Sequence, residues 1–393
     1  MINQEFEKVV ISLLKSALKG TRAEVPLEFD WQELFSFAKS QSLVPLMYQG
    51  VTNSGITLPD DIANKMNSIA LKHLWADQQQ QFEIAKLESA FEKNSIDYMP
   101  IKGVLLRHLY PNTEMRPMGD ADIMIRVEQK DKAAEVMESL GYAFSYETAH
   151  EIVYGKGAVV IELHKCLIPP RTKDFYEYYK DSWSFAQKVE GHNFRYEMSD
   201  EDHLIFLITH FAKHYRAGGI GVLHMADIYL YLSTKELNNR YVRDELNKLQ
   251  ILKFYDNVVS TIENWFNNGL GNERIDLITD WIFKNGLWGT SKSRTMAAAV
   301  RTSKSTSVKS IGFKYMIGQV FPRIEGMQLR YPVLKKHKYL LPFMWIARWL
   351  DLLLFKRNRV RNKIKQIELT NEKSVSAYQE ELQYVGLDFN YKE

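Results

Sequence analysis

Apolar positions recur at helical spacing along most of the chain and leave that rhythm in one stretch, between residues 96 and 197. Up to about residue 95 they read as amphipathic helices. Asp30 with Glu33 three residues later is a helix-start signal, and helical spacing continues to Tyr48. Pro59 opens a further helix, with Asp60 and Asp61 in the first turn, where carboxylates suit the positive end of the helix dipole. No breaker interrupts it before about Lys93. The rhythm then changes. Residues 96–101 form a short apolar run that ends in Lys102-Gly103, 104–110 read as one or two helical turns, and 111–119 form a loop with two prolines. Residues 120–127 alternate apolar and polar with branched side chains, the mark of a strand. Residues 128–140 return to helical spacing and Gly141 ends them. Two strands are expected near 151–154 and 158–164, joined by a turn at Gly155-Lys156-Gly157. From Ser199 the chain is helical again, over 200–215, over 222–232 after the Gly218-Gly219 break, and on to about Asn268. Residues 302–310, rich in Ser, Thr and Lys, read as a loop. The expectation is an α+β protein: an N-terminal helical region (1–95), a small mixed β-sheet core (96–197) and a C-terminal helical region (198–393).

Composition narrows the class only modestly. The hydrophobic fraction of 45% and charged fraction of 25% are those of an ordinary globular protein. A net charge of +3 argues against a dedicated binder of long polyanions, although local basic clusters can still hold phosphate. The single cysteine, Cys166, allows no intramolecular disulfide, and Glu5 and Glu7 stand where an export signal would carry positive charge. Both suit a cytoplasmic location. The apolar run 340–355 is interrupted by Arg348 and Asp351 and falls short of the roughly 20 residues needed to cross a bilayer, so no transmembrane segment is expected. Its basic flanks resemble those of an interfacial anchor, which makes peripheral membrane contact by 335–361 one reading. The plainer expectation is a helix that packs its apolar face on the body of the protein.

The chemistry concentrates in three acids. On a strand, residues i and i+2 share a face, so Asp120 and Asp122 project together while Ala121, Ile123 and Ile125 face the core. Two adjacent like charges repel unless a cation lies between them. Magnesium, or manganese in its place, favours carboxylate oxygens together with substrate phosphates. Glu162 shares its strand face with Val160 and His164, against Val159, Ile161 and Leu163 on the other. A neighbouring strand would complete a three-carboxylate cluster able to hold two metals.

Lys102-Gly103, Tyr110-Pro111, Arg116, Gly119-Asp120-Ala121-Asp122 and Ile161-Glu162-Leu163-His164 together resemble the signature of a bacterial family of poorly characterised nucleotidyltransferases. That family falls in the DNA polymerase beta-like superfamily. The segment from Ser36 to Leu46 and the helical stretch through His210, His214 and Asp227 are similar too. The resemblance implies a small sheet flanked by helices, with nucleotide and metals at one edge. It also implies transfer of a nucleoside monophosphate from an NTP to an acceptor, which could be a small molecule, a protein, an RNA end or a saccharide. The superfamily's usual loop is Gly-Ser, whose serine contacts a phosphate; here Val104 follows Gly103, and Lys102 or Arg116 is left to supply that contact.

Lys102 offers phosphate a point charge and Arg116 a bidentate fork, the plain alternative for each being solvation or a salt bridge to the aspartates. Gly103 is expected to serve close backbone approach or a positive φ. His203, His210, Lys213 and His214 fall roughly on one side of a helix, without the glutamate of a metalloprotease helix, so Lys213 and His214 read as phosphate-facing residues or plain packing rather than zinc ligands. Asp227, in an apolar helix, needs a cation such as Arg216, His224 or another. His164 is placed to orient Glu162 or touch substrate. Two rivals stay open: a glycosyltransferase that binds manganese through Asp-x-Asp, and a catalytically silent scaffold of the same fold.

Overall fold

The computed structural model describes residues 4–286, 289–302, 317–318, 320–355, 361 and 372–387. Helix α1 (Gln4–Lys19) turns Phe6, Val9, Val10, Leu13, Leu14 and Ala17 inward, as its periodicity requires. In α2 (Trp31–Ser40) the Asp30 carboxylate accepts the Glu33 backbone N–H at 2.9 Å, which satisfies an otherwise orphaned donor. After α3 (Val44–Ser54), the long α4 (Asp60–Lys93) starts directly behind Pro59 and runs unbroken to the residue expected.

Five strands follow: β1 (Tyr98–Pro100), β2 (Ala121–Ile125), β3 (Ala143–Glu147), β4 (Glu151–Lys156) and β5 (Val159–His164). The sheet order is β1-β2-β5-β4-β3, with β2 and β5 parallel and every other neighbouring pair antiparallel. The mixed sheet and flanking helices agree with the α+β expectation. Helix α5 (Gly103–Leu106) and short 3-10 turns fill the link between β1 and β2, and α6 (Lys130–Ser139) follows β2. Gly141, at φ +81°, ends α6 as its position suggested.

The hairpin turn lies one step later than expected. Lys156 pairs with Val159, which leaves Gly157 and Ala158 as a two-residue turn, and Gly157 adopts φ +59°. Strand β3 had no forecast. It is an edge strand whose residues are all exposed, so no buried alternate positions mark it in the sequence. The small hairpin of β6 (Ala186–Lys188) and β7 (Tyr196–Met198) escaped for a similar reason, its strands being only three residues long.

One side of the five-stranded sheet carries the core. Ala121, Ile123, Ile125, Val159, Ile161 and Leu163 pack with Ile84, Leu87 and Phe91 of α4 and with Val136 and Met137 of α6. The short helix α7 (Lys173–Tyr179) follows β5, the helices α8 (Asp200–Arg216) and α9 (Val222–Thr234) come next, then helices Asn239–Lys248, Leu252–Asn267 and Glu273–Asn285.

By its contacts the chain forms two compact units. The first takes in residues up to 212 with 221–286, and the second 213–220 with the described residues from 289 on. Within the second unit, the Ser293 hydroxyl donates to the Gly218 carbonyl at 2.6 Å and the Tyr378 hydroxyl donates to the Arg216 carbonyl at 2.8 Å. From residue 303 the loop expected over 302–310 lies outside the described residues, as do Lys356, Arg357 and Arg359 of the basic flank. Helix Leu341–Phe355 corrects one expectation. Phe343, Ile346 and Leu350 are exposed rather than packed on the protein.

Candidate active site

Register decides which side chains meet. Along the parallel pair β2–β5, Asp122 stands opposite Glu162, flanked by Ala121 opposite Ile161 and Ile123 opposite Leu163. The apolar partners go down into the core, so by strand alternation Asp122, Glu162 and His164 share the opposite face. Asp120 sits in the bend just before β2.

Asp122 is the most heavily engaged of the three acids. Its Oδ1 accepts from Lys102 Nζ at 2.7 Å and lies 2.6 Å from His164 Nε2. Burial opposes its charge, but the Lys102 ammonium and His164 together hold the carboxyl well below the usual carboxylate range. Burial likewise works against charge on Lys102, and Asp122, with Asp120 and Glu162 behind it, more than offsets that. His164 is also buried and lies 3.5 Å from Glu162 Oε2. Burial and Lys102 both disfavour its protonated form, yet Asp122 and Glu162 raise it above the ordinary histidine value.

Asp120 is the strained member. Burial first, then the charges of Asp122 and Glu162, push its carboxyl up to about 6. The repulsion expected between the two aspartates is therefore concentrated on Asp120, because Asp122 already has two cationic partners.

A second line of groups backs the first. His164 Nδ1 lies 3.3 Å from His150 Nε2, and His150 Nδ1 lies 2.9 Å from Glu151 Oε2. Burial, and then His164, push His150 down to about 4, which keeps its ring neutral. His150 was missed because the segment before β4 gave no pattern, and Glu151, although placed in an expected strand, was not connected to His164. The signal was nonetheless present: counting back from the Gly157-Ala158 turn pairs Glu151 with His164.

The Lys102-Gly103 corner has a specific geometry. Lys102 adopts φ +51°, a backbone region that favours glycine, directly before α5. Gly103 serves close approach: a Cβ there would lie 2.7 Å from Arg116 Nη1 and 2.7 Å from Met118 Sδ. Of the two uses foreseen for the glycine, the positive φ thus falls to Lys102 instead. Val104 is buried in the core below.

Arg116 forks onto Asp227 of α9, Nε to Oδ1 at 2.8 Å and Nη2 to Oδ2 at 2.9 Å. Tyr110 completes the group, its hydroxyl donating to Asp227 Oδ1 at 2.8 Å. The cation anticipated for Asp227 is therefore Arg116. Lys213 and His214 lie in the last turn of α8, in the second unit. Among the described residues, the sets of His, Asp and Glu close enough to share a metal are Asp122–Glu162–His164 and His150–Glu151–His164; neither contains His203, His210 or His214.

Fold and site together define a class: a mixed sheet that displays paired carboxylates on the face away from its core, next to a half-buried lysine and arginine. The chain belongs to a family described as uncharacterised nucleotidyltransferases, which it matches over residues 28–267. The resemblance carried by Lys102-Gly103, Asp120-Ala121-Asp122 and Glu162 is borne out at that level. No curated protein matches the chain. Among solved structures, the chain is similar to the solution structure of the antibiotic-resistance factor ANT(2'')-Ia, with 12% identity and a TM-score of 0.34, over 49% of this chain and 99% of that one. A likeness that slight bears no weight for function.

Proposed function

We propose that the chain transfers a nucleoside monophosphate from an NTP to an acceptor hydroxyl, with Asp120, Asp122 and Glu162 holding divalent magnesium or manganese. The observation that carries this reading is the register of β2 on β5. It sets Asp122 beside Glu162 on the sheet face opposite the core, in a chain of a nucleotidyltransferase family.

Part of the donor set suits a metal: oxygens of Asp122 and Glu162 and a ring nitrogen of His164 lie within 4.8 Å of one another, whereas Asp120, in the bend before β2, falls outside that group. Burial first, and then the charges of Asp122 and Glu162, raise the Asp120 carboxyl, the direction expected where carboxylates crowd together without a cation between them. Bound there, divalent metal would supply charge neutralisation for the triphosphate and for the leaving pyrophosphate. The protein's own groups do the rest. His164 steadies the Asp122 carboxylate from the neighbouring strand and is itself backed by His150 and Glu151. Lys102 brings a positive charge to the same carboxylates, from which a phosphate oxygen can recruit it. Arg116, tied at two nitrogens to Asp227, keeps Nη1 turned toward Gly103, so it fixes the corner that carries Lys102.

The test is to incubate the purified chain with each labelled NTP, magnesium and cell extract, and to identify what becomes labelled. Label from the α-phosphate should pass to an acceptor with release of pyrophosphate, and Asp122→Asn should abolish it. Tighter binding of a UDP-sugar than of any NTP, with release of UDP, would move the assignment to a glycosyltransferase. Transfer that survives in Asp122→Asn would remove the carboxylates from the mechanism.

A further inference from the structure

The second unit presents an apolar stripe that stays exposed among the described residues. Tyr339, Phe343, Ile346 and Leu350 follow one another by four, three and four residues, which lines them along one side of the segment 338–355. All four are more than half exposed, Tyr339 at 72% and Phe343 at 63%. Isolated exposed apolar residues are normal on a protein surface, but a continuous stripe of large ones marks an interaction site.

The helix is pinned so that this side faces out. On its other side, the Trp345 indole N–H donates to the Pro322 carbonyl at 3.0 Å and the Trp349 indole N–H donates to the Val320 carbonyl at 2.9 Å. Phe321 packs edge-on against Trp345, with ring centroids 5.2 Å apart, and lies beside Trp349. Arg330 forms an ion pair with Asp351. These contacts hold the helix by its inner edge, away from the exposed stripe.

We infer that this stripe docks the protein on an anionic lipid bilayer, with the helix lying in the plane of the headgroups. Charge selects this occupant. Between residues 335 and 361 every charged residue except Asp351 is Lys or Arg. Lys336 and Lys338 are exposed at the start of the helix, beside Tyr339. Cationic flanks around an apolar and aromatic face complement anionic headgroups above acyl chains. Length gives the orientation. No helix among the described residues is long and apolar enough to cross a membrane, so the contact is with one leaflet. The inference is independent of the nucleotidyl-transfer reading and stands or falls without it.

The experiment is co-sedimentation of the full chain with phosphatidylcholine vesicles, alone or mixed in equal parts with phosphatidylglycerol. Binding is expected to the mixed vesicles and to weaken with added salt. Replacing Phe343, Ile346 and Leu350 together by serine should reduce the partition coefficient roughly 100-fold, since each side chain offers apolar area to the acyl boundary. Those side chains are exposed, so the circular dichroism spectrum and unfolding midpoint should stay as they are. Lys336→Glu with Lys338→Glu should weaken binding by about tenfold or more on the mixed vesicles only. Failure to bind phosphatidylglycerol vesicles overturns the inference, as does equal binding by the serine variant. So does concentration-dependent self-association, seen by sedimentation velocity and abolished by the serine variant, in the absence of vesicle binding; the stripe would then be a protein interface.

Discussion

Arg116 and Asp227 lie 111 residues apart in sequence and meet as a two-pronged ion pair, at 2.8 and 2.9 Å, with both side chains nearly buried. The pair ties the loop before β2 to α9, and Tyr110 adds a hydroxyl donor to the same carboxylate. Burial opposes charge on Arg116, but Asp227 more than compensates and holds the guanidinium above its ordinary value.

Cutting that tie should therefore be felt first as stability. Asp227→Ala leaves a buried guanidinium and the Tyr110 hydroxyl without their acceptor, and removing one partner of a buried pair typically costs about 3–5 kcal/mol. Urea unfolding of the variant measures this. A loss below roughly 1 kcal/mol, the scale of a surface pair, would show that the fork is solvated in solution.

Gly103→Ala tests the corner locally. Its Cβ would intrude to 2.7 Å on Arg116 Nη1, and the fork on Asp227 prevents the guanidinium from swinging aside freely. We expect a loss of about 1–3 kcal/mol, the usual range for overpacking. In the Arg116→Ala background the obstacle at Nη1 is gone, so the added loss should shrink. An unchanged increment in a double-mutant cycle would point to Met118 as the obstacle instead.

The two aspartates should respond oppositely in stability while both abolish transfer. Asp122→Asn gives up a carboxylate held by Lys102 and His164, so the metal-free protein should unfold more readily at pH 8. Asp120→Asn removes a charge repelled by Asp122 and Glu162 and should leave the unfolding midpoint unchanged or higher. With manganese added, the wild-type midpoint should rise, because a ligand that binds only the native state stabilises it, and the rise should be lost in both variants. A full manganese shift retained in Asp122→Asn would contradict the proposed site.

Glu7, far along the chain from these groups, predicts a pH dependence. Burial, then the charge of Asp280 and a hydrogen bond with it, raise its carboxyl from 4.5 to about 7. A group whose folded pKa is raised contributes stability that is fully present below its unfolded value and is lost as pH rises through its folded value. The chain should thus lose stability between about pH 4.5 and 7 at this site. Each unit of pKa difference is worth about 1.4 kcal/mol, so Glu7→Gln should stabilise the protein by roughly 1–3 kcal/mol at pH 8 and by little at pH 4.5. Denaturant titrations at the two pH values provide the comparison; an equal effect at both would mean that Glu7 ionises normally.

Local geometry was legible in the sequence wherever one backbone period decides it. Side chains alternate along a strand, so Ala121, Ile123 and Ile125 had to be opposed to Asp122 whatever lay alongside. The Asp30 cap, the opening of α4 behind Pro59 and the Gly141 stop are equally local, each set by the hydrogen bonds or φ values of a few residues. Strand β3 left no such trace, since both of its faces are exposed and no alternation was imposed on it. Partners across the chain belonged to the tertiary structure. That β5, rather than a strand nearer in sequence, lies parallel to β2 is what brings Glu162 to Asp122. That α9 passes beside the loop before β2 is what gives Arg116 to Asp227 rather than leaving it to the nearer aspartates. The physical reason is range: backbone periodicity fixes which way a side chain points over a few residues, whereas what it meets depends on how distant apolar faces are buried together.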